Sequence, residues 1–268
     1  MKMQNRSLAI IRSGAIQIIY FLALPAILLG LWWWASSHST SFFFPPLQHI
    51  LVAMEPTWFS GRLWTDALPS VGRLLIGYTL AVAFGVAMGL PIGLSARLRD
   101  FLEPVMEFFR AVPPPVLVPV LMLFLGIGFA MKVFVIAFGA CWPVLLNTVE
   151  GVRAVDEVLR DVAKVYRFRW PTFLCSVILR GASPQIVTGA RQALSIAIIL
   201  MVISEMFAAN NGLGYSVVSF QRTFAILEMW TGIILLGLLG MLLSVAFRLT
   251  ERRILRWYAG LRQTEKGI

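Results

Sequence analysis

The stretch RLLIGYTLAVAFGVAMGLPIGLSAR, residues 73–97, carries no charge between its two terminal arginines. At 1.5 Å per helical residue, an apolar run of this length crosses the roughly 30 Å hydrocarbon core of a bilayer. No water is available there to satisfy backbone amides, so a spanning segment of this kind closes its hydrogen bonds as a helix. Within it Gly77, Ala81, Gly85, Gly89 and Gly93 recur every four residues. That spacing lines small side chains along one helical face and lets another helix approach closely, a packing seam.

The same test applied outward finds further spans. Charge-free runs lie between Arg12 and His38, Arg110 and Lys132, Lys132 and Glu150, and Glu228 and Arg248. Another runs from about Pro184 to Ala208 and is interrupted only near its ends, by Arg191 and Glu205. The reading is an all-α membrane protein with six transmembrane helices in a single transmembrane domain covering 1–268, its core at about 70–252. Composition agrees: 59% of the 268 residues are hydrophobic and 13% charged, where an ordinary soluble protein carries about 25% charged, and mean hydropathy is +0.81. A net charge of +10 invites a nucleic-acid partner, but a groove-reading protein is polar over most of its surface, so none is expected. Cys141 and Cys175 are too few for a disulfide framework or a multi-cysteine zinc site.

Placement of the cations explains the net charge. With both termini in the cytoplasm, Arg62, Arg73, Lys132 and Arg222 face outward and the other 19 of 23 Lys and Arg face inward. The positive-inside rule therefore favours an N-in, C-in orientation, with basic loops beside lipid headgroups. The basic flank of Lys2, Arg6 and Arg12 and the small residues Ala35-Ser36-Ser37 raise the question of a cleaved signal peptide. The apolar run is longer than a signal core of about 7–15 residues and ends in the belt-like Trp32-Trp33-Trp34, so it is read as a retained anchor. The stretch from about Ala35 to Pro69, with His38, His49 and Pro45-Pro46, is read as an outer loop.

Three positions carry chemistry unusual for a span. Pro113-Pro114-Pro115 and Pro119 remove backbone donors and interrupt regular helix. Arg110, Pro113, Pro114 and Pro119 are therefore candidates for a gate or kink along a pathway, or else for a helix start at the inner interface. Glu205 is the one acidic residue close to hydrocarbon, either a functional ionisable group or an interfacial cap. Between about Glu150 and Ser183 lies a long inner loop. In it Val155, Val158, Leu159, Val162, Val165 and Tyr166 share one helical face, with Asp156, Glu157, Arg160, Asp161, Lys164 and Arg167 on the other. Asp156 with Arg160, and Asp161 with Lys164, have the spacing of salt-bridged pairs.

From Asn147-Thr148-Val149-Glu150-Gly151 through Asp161-Val162-Ala163 and Pro184-Gln185-Ile186-Val187-Thr188-Gly189-Ala190-Arg191 to Ser204-Glu205-Met206 and Gly212-Leu213-Gly214-Tyr215, order and spacing resemble a known family. It is that of the permease subunits of bacterial ABC importers, in the branch handling sulfonate, taurine and nitrate. Arg110-Ala111-Val112-Pro113-Pro114, Pro119 and Phe124-Leu125-Gly126-Ile127-Gly128 are similar to the family's third span. The resemblance covers nearly the whole chain. It implies the type I importer transmembrane fold, a bacterial inner-membrane location, and a coupling helix, the EAA loop at about 150–183, that docks on an ATP-hydrolysing subunit. Asp161, Val162 and Ala163 occupy that motif, with Asp156, Arg160, Lys164 and Arg167 around it. Asp161 stands for the usual Glu, Val162 for Ala, Arg167 for Gly, and Arg180 for a common Pro. Arg167 then either lengthens the helix or carries a charge contact.

The resemblance further implies two ATP-binding subunits, a second permease copy forming a homodimer, an extracytoplasmic substrate-binding protein and a surrounding lipid bilayer. ATP and Mg belong on the partner ATPase, and no cofactor is expected on this chain. No GxxxxGK[ST] loop is present, which agrees with ATP hydrolysis elsewhere. A stand-alone secondary transporter is the alternative. It needs intramembrane coupling groups and usually internal repeats, and the spans offer little beyond Glu205. A membrane-embedded enzyme needs a constellation such as HExxH or GxSxG, and neither is found.

Overall fold

The computed structural model describes residues 23–260 apart from 25, 208 and 259, and among the described residues the regular elements are all helices, with no strand. The basic flank of the first apolar run lies outside the described residues. So do residues 13–22 of the run read as a retained anchor, and its described end forms α1 (Ala26–Ser37). Then follow α2 (Leu47–Trp58), α3 (Leu63–Leu94), α4 (Ala96–Ala111), α5 (Pro114–Leu125) and α6 (Phe129–Arg153). A short helix, α7 (Glu157–Val165), leads to α8 (Trp170–Phe207), α9 (Leu213–Arg222) and α10 (Ile226–Ile254).

Helices α3, α6, α8 and α10 are long and apolar enough to cross a membrane. The first three form the core. A Cβ at Gly77 would meet Ile136 at 2.7 Å, one at Gly85 would meet Val144 at 2.7 Å, one at Gly89 Thr148 at 2.6 Å, and one at Gly93 Val152 at 2.7 Å. The partners climb α6 as the glycines climb α3, so the two helices run parallel with backbones almost touching. Helix α8 runs antiparallel to α6, Gly189 lying against Asn147 and Gly151 against Gln185. In lipid this packing rests on dispersion and close fit rather than on escape from water, and Leu74, Ile136, Val144, Ala197 and Met201 fill the space.

The span expected between Arg110 and Lys132 is not one helix. Val112 and Pro113 are extended, and α4 and α5 meet at 87°. A residue before proline is pushed out of the helical region, while Pro114 suits a first turn, whose amides have no intrahelical acceptor. With 12 residues, α5 is roughly 18 Å long and cannot cross hydrocarbon alone. Pro114 packs on Gly139, near the middle of α6, so the break sits beside the core's midsection rather than at an inner interface.

The outer loop expected from Ala35 to Pro69 is also largely helical. Pro46 precedes α2, whose Trp58 is buried, donates through Nε1 to Thr231 Oγ1 on α10 at 2.8 Å, and meets Phe220 edge-on. Arg62 stacks over that Phe220 ring. An aromatic lock of this kind binds α2, α9 and α10 at one end of the bundle.

Candidate functional site

Two polar assemblies stand at opposite ends of the core, with the broken helix between them. At the end formed by the start of α3 and the close of α8, Glu205 is fully buried. Arg73 Nη1 donates to its Oε1 at 2.6 Å, and Gly214 N to its Oε2 at 3.1 Å. The Ser70 hydroxyl lies 2.8 Å from both carboxylate oxygens and 2.9 Å from the Asp66 carbonyl, and accepts from Leu213 N. Arg73 also reaches Asn211 through its backbone and side-chain oxygens. Asp66 in turn accepts from Ser216 Oγ at 2.8 Å and from Gly212 N at 3.3 Å.

Two charges taken out of water this way cost several kcal/mol each unless paired and further hydrogen bonded; the ring of donors around Glu205 supplies that compensation. Gly212 takes φ +126° and a Cβ there would overlap the Glu205 carboxylate, so both backbone and space require glycine. The cluster ties α3 to the turn between α8 and α9. Lys132 is also buried and has no ion pair or hydrogen bond among the described residues. Glu205, read from the sequence as either a functional ionisable group or an interfacial cap, is internal and paired. Sequence reading missed Asp66, Ser70, Arg73 and Lys132, taking the cations as outward-facing flanks. The usable signal was opposite charge at the same depth, Arg73 and Glu205 both closing apolar runs at one end.

At the other end, Asp156 caps α7 by accepting from Val158 N at 2.8 Å. Arg160 turns back and donates to Val152 O at the C-terminus of α6, with Arg153 O at 3.5 Å. The expected Asp156–Arg160 pair is thus not formed, because each group satisfies a helix end: the cap needs the carboxylate, and the orphan carbonyls of α6 attract the cation. Asp161 and Lys164 do pair, at 2.9 Å on the exposed face. Ala163 is buried against the bundle and Val155 packs on Gly181, whereas Val158, Leu159, Val162, Val165 and Tyr166 are exposed.

Arg167 neither lengthens α7 nor makes a charge contact among the described residues. It takes φ +50°, with Phe168 N donating to Ala163 O and Arg167 N to Lys164 O. That is the left-handed stop that glycine usually occupies one residue past a helix cap. Phe224 makes the same stop after α9, at φ +57°.

Between the two ends, Arg110 pairs with Glu107 at 2.6 Å and shares a cavity with Pro114, Trp142, Asn147 and Gln192. Pro113 and Pro119 are exposed. Arg110, Pro114 and the α4–α5 break thus come together, while Pro119 and Glu205 lie apart from them.

A family model described as the binding-protein-dependent transport system inner membrane component matches residues 81–256. The chain belongs to this family. The permease is 31% identical over 219 residues to the taurine transport system permease protein TauC of Escherichia coli, covering 80% of each chain. It is 29% identical to the bicarbonate transport system permease protein CmpB of Synechococcus elongatus, over 73% of this chain and 70% of that one. Among solved structures, the methionine ABC transporter MetNI in an inward-facing form matches with a TM-score of 0.56 at 21% identity, over 69% of the permease and 94% of that chain, a likeness of fold. The chain is a permease subunit of an ABC importer of the bacterial inner membrane, not an enzyme, with ATP hydrolysis in a separate subunit. Membership implies ATPase and binding-protein partners and dimerisation.

Proposed function

We propose that the permease forms, as a homodimer, the translocation pathway for a small anion of the sulfonate, taurine or nitrate class, driven by two ATPase subunits that dock on α7. The observation that carries this is the exposed apolar face of α7, with Val158 66% and Val165 78% exposed, beside an Asp161–Lys164 pair. A lone helix leaving such a face in water would be costly, and a groove on a soluble partner covers it. Mixed charge on the other face argues against a lipid surface, which favours uniformly basic helices.

In this reading one membrane domain with six spans lies N-in and C-in, α7 is cytoplasmic, and substrate arrives at the Arg73–Glu205 end from a binding protein. The Arg160 contact joins the docking helix to the end of α6, so movement of the ATPases passes directly into the core. Alternating access then needs only that the core helices rock as a unit around the break between α4 and α5. The cargoes for which related transporters are named, the sulfonate-bearing taurine and the anion bicarbonate, support the substrate class.

The test is purification from membranes in mild detergent, with and without Asp161→Lys, which touches neither the cap nor α6. Copurification of an ATP-hydrolysing subunit that the substitution releases or uncouples at least tenfold is the expected result. A chain that purifies alone and transports in vesicles without ATP would replace the proposal with a secondary transporter.

A further inference from the structure

Lys132 is a buried cation that the machinery described so far does not use. It stands in the first turn of α6 and is 3% exposed. The contacts of Gly77 with Ile136, Gly85 with Val144, Gly89 with Thr148 and Gly93 with Val152 advance along α3 and α6 in step. One turn further toward the Arg73–Glu205 end, the same register sets Arg73 opposite Lys132. Two buried cations therefore face each other across a seam whose backbones almost touch, and the charged groups whose fields reach Lys132 are Arg73 and Glu205.

Only one of the two cations holds a carboxylate. Glu205 Oε1 accepts from Arg73 Nη1 at 2.6 Å, while Lys132 makes no ion pair or hydrogen bond among the described residues. Asp66, the other acid at this end, is occupied by Ser216 Oγ and Gly212 N. A desolvated charge without a counter-charge is costly, a like charge opposite adds to the cost, and ionisable groups inside a membrane persist where they have a task. Arg73 would not be stranded by losing the carboxylate, because its Nη1 and Nη2 also donate to the backbone and side-chain oxygens of Asn211. Glu205 thus has one engaged partner and one unpaired partner at the same depth, on the two helices that the glycine seam keeps together.

We infer that Lys132 is a positioning residue of the transport cycle, the second partner of Glu205, and that the cycle passes the carboxylate from Arg73 to Lys132 and back. Only ion pairs and hydrogen bonds change, and the Glu205 side chain can turn while α3, α6 and α8 still rock as a unit. Leaving Arg73 also withdraws Oε2 from Gly214 N and from the Ser70 hydroxyl. The exchange therefore frees the turn between α8 and α9, on the face where substrate is delivered. One ion pair in either arrangement keeps the two states close in energy, as a two-state element requires. This rests on the importer reading above, since ATP on the partner subunit drives the exchange, and deepens it.

The experiment is hydrogen exchange at single-amide resolution, read at Gly214 N in the assembled permease–ATPase complex in nanodiscs, where no substrate is needed. Ser70→Ala loosens the carboxylate without removing a charge and should speed exchange at Gly214 at least fivefold. Adding Lys132→Met should reverse most of that gain, because the carboxylate then has no second partner, whereas adding Lys132→Arg should leave exchange fast. ATP with vanadate should speed Gly214 in the wild-type complex and not in the Lys132→Met complex. A merely structural lysine predicts the opposite sign, since its loss would loosen the turn. Copurification of the ATPase verifies assembly of each variant, and Lys132→Gln serves in place of a Lys132→Met chain that does not assemble. Exchange at Gly214 that is unchanged or faster when Lys132 is replaced, or a wild-type complex that does not respond to ATP and vanadate, overturns the exchange of partners while leaving the importer reading intact. Failure of any ATPase to copurify with the wild-type chain is the separate result that removes the reading beneath it.

Discussion

Arg167 holds a left-handed conformation, φ +50°, that costs an L-residue roughly 1–2 kcal/mol and glycine almost nothing. Arg167→Gly should therefore stabilise the α7 stop by about 1 kcal/mol, and Arg167→Val should weaken it, because a branched Cβ tolerates that region least. Amide exchange over residues 157–168 measures both; slowing of about fivefold is expected for glycine, and unchanged exchange would show that the turn is not strained. The buried pair at the other end behaves differently. Arg73→Met or Glu205→Gln alone strands a desolvated partner, at about 3–5 kcal/mol for loss of a buried ion partner. Arg73→Met with Glu205→Gln should lose less than the summed single losses, by about 1–3 kcal/mol. Denaturant unfolding in mixed micelles reads the cycle, and strict additivity would mean that the contact carries no coupling. These residues also mark how far a sequence can be read. Asp161 and Lys164 were legible as a pair because both stay on one helix face. Asp156 and Arg160 have equally good spacing, but the unsatisfied ends of α6 and α7 compete for them, and helix ends are visible only once the boundaries are known.

At the scale of elements, the close approach of α3 and α6 depends on the absence of side chains along one face of α3. Gly89→Ala would place a Cβ 2.6 Å from Thr148 Cβ and 3.0 Å from Leu145 O. Backbone at Leu145 cannot swing away as a side-chain tip can, so the helices must part, at about 1–3 kcal/mol for overpacking. Gly72→Ala, on the same helix but with nothing within 4 Å of its Cβ, is the matched control and should be neutral or stabilising by about 0.5–1 kcal/mol. Thermal retention of monodisperse protein in detergent distinguishes them; equal behaviour would mean that the seam tolerates an extra methyl group. The runs that became α3, α6, α8 and α10 were legible because hydrocarbon admits few alternatives to a long helix. Helices α2 and α4 were not. Helix α2 is shorter than a span, its amphipathic signal is diluted by Pro56, and it depends on the distant contacts of Trp58 with Thr231 and Phe220. The break itself was legible from Pro113-Pro114-Pro115, whereas α4 was not, because Arg97, Arg99, Asp100, Glu103, Glu107 and Arg110 set it outside every apolar run.

For the molecule as a whole, orientation rests on a single argument, the crowding of cations toward the α7 end. Arg153, Arg160, Lys164, Arg167, Arg169 and Arg180 all lie within or beside the segment joining α6 to α8, and Arg248, Arg252 and Arg253 lie in the last two turns or so of α10. The antiparallel relation of α6 and α8 puts those groups at the end of the bundle opposite the Arg73–Glu205 cluster. The positive-inside rule then predicts that the α7 end is cytoplasmic. With both native cysteines replaced (Cys141→Ala and Cys175→Ala), one cysteine can be returned at an exposed position at either end, Lys164→Cys beside α7 or Ser60→Cys beside α2. A membrane-impermeant thiol reagent applied to intact spheroplasts should label the Ser60 variant and not the Lys164 variant, and inverted vesicles should reverse the pattern. An ATPase can dock only from the cytoplasm, and a binding protein delivers only from outside. Labelling of the Lys164 variant in intact spheroplasts would therefore invert the molecule and remove α7 from the reach of any ATP-hydrolysing partner, even though every helix contact described above would stand.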